Sequence, residues 1–374
     1  MKQFSPALIG LTASCILALP GQAGAARLGF APPADYFTGG GPRAVAVADL
    51  DKDGNMDIVA ANETGDSVSV LLGAGDGTFE PDREYDAGAG PWDIAVDDFD
   101  WDGTPDLAVA NRKGGSVTVM KGDGIGSFLP GEDFRCGPAP RAIATGNFDG
   151  DRKKDIAVAN EGAGTVTVLL GRGDGTFLPK RVFNIGGSPS DVIADDFDGD
   201  GRTDLAAADR DGNMVVVLLG DGGGNFDPAP GTLAGGAPVA LASGDFDKDG
   251  SRDLAVADKA AGSVSVLQGG LVGSFFPLRD YSTGSGPSCV TVAHFNRDGK
   301  LDMATANAGS STVSVLTGNG DMTFTEAVDF VTGGGAFSIT AADLDKDGFK
   351  DIVTANPADN TVSVLLSIKG GGRQ

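Results

Sequence analysis

Seven carboxylate-rich loops recur along this chain, with first positions at residues 49, 98, 147, 196, 245, 294 and 343. The pattern is Asp-x-Asp-x-Asp-Gly-x-x-Asp, and 25 of the 28 side chains at its positions 1, 3, 5 and 9 are Asp. In the first copy these are Asp49, Asp51, Asp53 and Asp57, with Gly54 turning the chain and Asn55 placed to offer its backbone carbonyl. Alternate oxygen donors around a Gly-assisted bend wrap a hard cation that takes about six to eight oxygens, which suits Ca2+ better than Mg2+. Equivalent sets are Asp98, Asp100, Asp102, Asp106; Asp196, Asp198, Asp200, Asp204; Asp245, Asp247, Asp249, Asp253; and Asp343, Asp345, Asp347, Asp351.

Two copies depart from the pattern. The third has Asn147 with Asp149, Asp151 and Asp155, and Arg152 stands where the others turn on Gly, so weaker binding is expected. The sixth reads His294, Asn296, Asp298, Asp302, with two carboxylates and an imidazole that Ca2+ does not favour, so it is expected empty or weak. About five to six calcium sites are expected. The alternative is an Asp-Gly turn held by its own side-chain to backbone hydrogen bonds, without metal. Close carboxylates repel one another, so calcium is expected to stabilise the fold.

Each interval between loops is 49 residues, so the repeat carries no net insertion or deletion. Within the second copy, Phe79-Glu80-Pro81 and Tyr85, then Ile94-Ala95-Val96, Leu107-Ala108-Val109-Ala110-Asn111 and Val117-Thr118-Val119-Met120 are short apolar or β-branched runs separated by turns. Four strands per period, with no stretch periodic enough for a helix, describe a propeller blade, and seven fill the chain. A parallel β-helix, the competing repeat fold, has a much shorter period. The expected fold is therefore all-β, a seven-bladed β-propeller of four-stranded blades. Phe30, Phe79, Phe128, Phe177, Phe226, Phe275 and Phe324 share one repeat position and open each outermost strand, yet Phe30 precedes any blade of its own. The last repeat lacks that strand, so the N-terminal segment, residues 27–40, is expected to complete the C-terminal blade and close the ring.

Met1-Lys2, an apolar run from about Pro6 to Pro20 and a small-residue exit at Ala25-Ala26 have the order of a secretory signal peptide. The expected division is a signal peptide at 1–26, the propeller at 27–368 and a short tail at 369–374, with the protein exported to the extracellular space or periplasm. Cys136 and Cys289 lie about three blades apart and are expected to remain unpaired. The net charge of −24 argues against nucleic acid and anionic membranes.

The chain resembles the FG-GAP and VCBS-type repeat proteins, bacterial relatives of the integrin α-subunit propeller. The resemblance rests on Asp98-Phe99-Asp100-Trp101-Asp102-Gly103 through Asp106-Leu107-Ala108-Val109-Ala110-Asn111, and on Leu169-Leu170-Gly171-Arg172-Gly173-Asp174-Gly175-Thr176-Phe177. It implies Ca2+ in the loops, and roles that range from adhesion receptors to sugar-binding propellers.

Connectivity puts the Asp loops and Gly-Asp-Gly turns on one face and the Gly-Pro and Asn-x-x-x-Gly turns on the other. The first residue of each innermost strand on that second face varies: Arg43, Trp92, Arg141, Ser190, Val239, Ser288, Phe337. Trp92 and Phe337 can stack on a sugar ring, with Arg43 and Arg141 as donors; the alternative is drift, with an aromatic plugging the channel. The expected function is a monomeric binding or adhesion module for carbohydrate or a surface protein. A polysaccharide lyase or hydrolase and a structural scaffold are the alternatives. Against catalysis, His294 is the single histidine and sits in a degenerate loop.

Overall fold

A computed structural model describes residues 28–368; the expected signal peptide and tail lie outside the described residues. The first blade is built from β2 (Pro42–Ala48), β3 (Asp57–Asn62), β4 (Ser67–Leu71) and β5 (Arg83–Asp86), antiparallel and in that order from the channel outward. The innermost strands of successive blades pack side by side in a ring. Seven such sheets form the propeller.

The strand patterns follow from where each strand sits. The central strands are buried on both faces and read as continuous apolar runs: Ile58 and Ala60 pack toward the seventh blade with Val353 and Ala355, while Val59 and Ala61 pack toward the second with Leu107 and Val109. The core is thus divided among the interfaces between blades. The outermost strand β5 turns mainly Tyr85 inward, and the Tyr85 ring meets Phe128 edge to face at 5.7 Å.

The ring closes as expected. The N-terminal strand β1 (Ala34–Phe37) pairs antiparallel with Thr361–Val364 and completes the seventh blade. Phe30 bridges Ser367 and packs on Phe330 at 5.0 Å and Phe295 at 6.2 Å. Asn360 Oδ1 accepts from Gly41 N, and Ser363 Oγ donates to Asp35. Two blades are irregular. In the fourth, the outermost strand comes as Phe226–Pro228 and Thr232–Leu233, where the regular blades have an isolated bridge at the equivalent Phe and then a four-residue strand. In the fifth, a 3-10 turn at Leu271–Gly273 replaces the Gly-Asp-Gly turn. Cys136 and Cys289 are both free.

The acidic loops and the opposite face

Each acidic loop joins the innermost strand of its blade to the next. The Gly-Asp-Gly turns lie beside the loops: Gly77 N donates to Leu344 O, Gly175 N to Phe99 O and Gly224 N to Phe148 O. Each of these bonds ties a turn to the loop of the preceding blade, joining the first blade to the seventh, the third to the second and the fourth to the third on this face. The Gly-Pro and Asn-x-x-x-Gly turns meet on the other face, where Glu63 N donates to Gly41 O and Arg112 N to Gly90 O.

Within a loop the acidic side chains form a ladder of short turns. Asp51 Oδ1 accepts from Asp53 N at 3.2 Å, Asp53 Oδ1 from Asn55 N at 2.7 Å and Asp49 Oδ2 from Gly54 N at 3.0 Å. The backbone therefore takes one oxygen of each carboxylate. Asp49 Oδ1, Asp98 Oδ1, Asn147 Oδ1 and Asp343 Oδ1 are buried and have no hydrogen-bond partner. A buried, unpartnered acceptor is costly, and a hard cation would supply the missing partner. Five groups bring ligand oxygens within 4.8 Å of one another: Asp49, Asp51, Asp53; Asp98, Asp100, Asp106; Asp196, Asp198, Asp204; Asp245, Asp247, Asp249; and Asp343, Asp345, Asp347. These five loops fit a calcium ion.

Position 9 has a second duty that the spacing alone does not reveal. Asp57, Asp106, Asp155, Asp204, Asp253, Asp302 and Asp351 are all buried. Each accepts from the backbone N–H at position 2 of its own loop and from a backbone N–H at or two residues past the end of the third strand, as in Asp57 with Leu50 N at 2.7 Å and Gly73 N at 2.8 Å. Burial pushes these carboxyls up to about 6, against backbone bonds that favour the charged form. This Asp pins the loop to its blade. In loops two and four it also reaches the acidic group, as Asp106 and Asp204; in loops one, five and seven, position 5 takes that place.

The degenerate copies behave differently. Arg152 adopts φ +73°, the left-handed conformation that Gly54 and Gly103 occupy in their loops. Asn147 keeps the unpartnered oxygen, while Asp151 is ion-paired to Lys153 at 2.9 Å. In the sixth loop the His294 Nδ1 lies 2.6 Å from the carbonyl of Lys300, the position-7 oxygen expected to face a cation. Asp298 Oδ1 accepts from Lys300 N, and no acidic group of three forms there among the described residues.

On the opposite face Trp92 and Phe337 meet edge to face at 5.7 Å over the channel. The Arg43 and Arg112 guanidiniums each lie 4.8 Å from the Trp92 ring centroid and Arg141 lies at 5.6 Å; Arg43 is also 4.8 Å from Phe337. Guanidiniums therefore already lie over the Trp92 ring expected to stack on sugar, and the pair plugs a cavity of about 70 Å3. The two arginines expected as donors are tied down, Arg43 to Glu63 at 2.8 Å and Arg141 to Glu161 at 2.9 Å.

The charges that shape this face come from a position the sequence reading passed over, the residue after the buried Asn or Asp that ends the second strand. There the repeats read Glu63, Arg112, Glu161, Arg210, Lys259, Ala308 and Pro357. Arg112, Arg141 and Arg210 all converge on Glu161. Burial opposes the Glu161 charge, but these guanidiniums hold its carboxyl below the usual range. Burial and the nearby Arg141, Arg210 and Arg43 hold Lys259 below its usual value. Variation between repeats at this position was the available signal.

The matched sequence and the loop geometry together define the class: the chain belongs to the family described as FG-GAP-like repeat, with six overlapping matches at residues 49–109, 98–158, 147–207, 196–256, 245–305 and 294–354. No curated protein sequence matches the chain. Among solved structures it is similar to BBS1N in complex with ARL6DN (12% identity, 93% of this chain and 100% of that one, TM-score 0.65). It is also similar to virginiamycin B lyase from Staphylococcus aureus (13%, 90% and 100%, 0.59). A third similar structure is an Agrocybe aegerita lectin that recognises non-reducing terminal N-acetylglucosamine (19%, 85% and 86%, 0.55). At these identities the likeness is one of fold.

Proposed function

We propose that the protein is an exported, monomeric, calcium-stabilised binding module whose partner, a carbohydrate or a surface protein, docks on the face opposite the acidic loops. The observation that carries this reading is the division of labour between the faces. The loop face repeats one design, supplied with oxygens for calcium. The opposite face keeps the same strands but changes its side chains from blade to blade and gathers arginines in a chain of net charge −24. Catalysis finds less support: His294 is engaged with a backbone carbonyl, and the paired carboxylates serve the loops. Of the similar structures, the Agrocybe aegerita lectin lends a sugar-binding precedent on the same fold.

A glycan array probed with and without chelator tests the reading. Calcium-dependent retention on one class of glycan is the expected result. Hydrolysis or β-elimination of a polysaccharide would replace it with an enzyme, and binding to a protein surface alone would select the adhesion role.

A further inference from the structure

Three positive side chains, Lys113, Arg135 and Lys180, gather around one cavity. On the face opposite the loops a cavity of about 400 Å3 opens between the second and third blades, within the range of about 300–1,000 Å3 typical of small-ligand sites. Its walls are the Gly114-Gly115 turn, the Gly137-Pro138-Ala139 turn and the side chains of Lys113, Arg135 and Lys180. No carboxylate lines it, although the chain as a whole carries −24. Lys180 Nζ donates to the carbonyl of Cys136 at 2.8 Å, and neither Lys180 nor Arg135 forms an ion pair among the described residues. Lys113 reaches Glu63 only at 3.6 Å, and both partners stay partly exposed. Next to Lys113, Arg112 joins Arg141 and Arg210 on the single carboxylate of Glu161, which leaves that cluster positive as well.

We propose that this cavity binds one sugar residue carrying an anionic group, a carboxylate or a sulfate, at the end of a glycan chain. The inference rests on the binding-module reading and names its ligand class. The cations supply charge and N–H donors for the anion. The turns supply backbone groups for hydroxyls, and no large aromatic or aliphatic side chain lines the cavity to anchor a peptide.

Titration calorimetry on the full protein in calcium tests this with four probes: trigalacturonic acid, a sulfated galactose trisaccharide, neutral galactotriose and hexaglutamate. Binding of the uronate or the sulfated probe at least tenfold tighter than galactotriose is expected, weakening as salt is raised, and which of the two binds identifies the anion. The double variant Arg135→Gln/Lys180→Gln, at two exposed side chains, should lose at least tenfold in affinity with an unchanged melting temperature. Lys113→Gln should weaken binding in the same direction, and Arg83→Gln on the distant β5 should bind as the parent does. Equal affinity for galactotriose, indifference to the double variant, or tighter binding of hexaglutamate would each overturn the proposal. Neutral glycans retained on the array by parent and double variant alike would overturn it while leaving the binding-module reading intact. Failure of every glycan on the array would overturn it as well, and the binding-module reading falls with it only when the protein also binds no protein surface.

Discussion

Replacing Asp302 with Ala separates the structural duty of position 9 from any duty toward a metal, because Asp302 sits in the sixth loop, where no acidic group of three forms among the described residues. Its carboxylate accepts from Phe295 N at 2.9 Å, Gly318 N at 2.9 Å and, more weakly, Asn296 N at 3.3 Å. Ala leaves the two close donors unsatisfied in a buried place, at about 1–3 kcal/mol each, so a loss of about 2–6 kcal/mol is expected. Asp302→Asn keeps one acceptor oxygen and nearly the same volume, and should cost about half as much. The assay is urea unfolding followed by circular dichroism, in calcium and again in EDTA. The loss caused by Asp302→Ala should be the same in both, whereas Asp98→Ala, which removes a loop oxygen, should cost more in calcium than in EDTA. A loss below about 1 kcal/mol for Asp302→Ala, or one that disappears in EDTA, would refute the assignment of position 9 as a backbone pin.

Three further outcomes are expected. Burial, then the charge of Asp93, pushes the Asp191 carboxyl up to about 7 against bonds from Leu241 N and Val192 N and the charge of Arg141; burial alone drives Asp93 up to about 6. Because these folded values exceed the unfolded value of about 4, the folded state holds the extra protons. Their contribution to stability is full below about pH 4 and lost as pH rises through about 6 to 7. Asp191→Asn should flatten the difference in urea midpoint between pH 5 and pH 8; an unchanged slope would count against it. Arg152→Gly removes a left-handed non-Gly residue and should stabilise the third blade by about 1 kcal/mol while tightening calcium there, read by melting temperature across a calcium titration. Phe30→Ala should cost about 3–5 kcal/mol, because Phe30 is packed between Phe330 and Phe295 at the ring closure; a melting temperature equal to the parent's would show that the N-terminal segment does not close the ring.

Much of this design was legible because the repeat has an invariant period. A 49-residue spacing fixes blade number, and the unpaired Phe30 at one end with the missing strand at the other fixes the closure. The loop ligands were legible for the same reason, since alternate Asp residues around a Gly leave few conformations. The duty of Asp57 and its equivalents was not, because a carboxylate that accepts from backbone and one that faces a cation look alike in sequence. The state of Trp92 was also hidden. Whether its ring lies open depends on Arg43 from the preceding blade, Arg141 from the following one and Arg112 from its own turn, and only the blade packing brings these together. The cavity at Lys113, Arg135 and Lys180 draws on residues 67 positions apart, at unrelated places in their repeats.

Equilibrium dialysis against radioactive calcium, followed by mass balance per chain, tests the central claim that the acidic loops are cation sites. Retention of about five ions, with a sixth of lower affinity at Asn147, and a fall in melting temperature once they are chelated, is the expected result. No retained ion at millimolar calcium, with melting indifferent to chelator, would make the loops hydrogen-bonded turns and contradict the account.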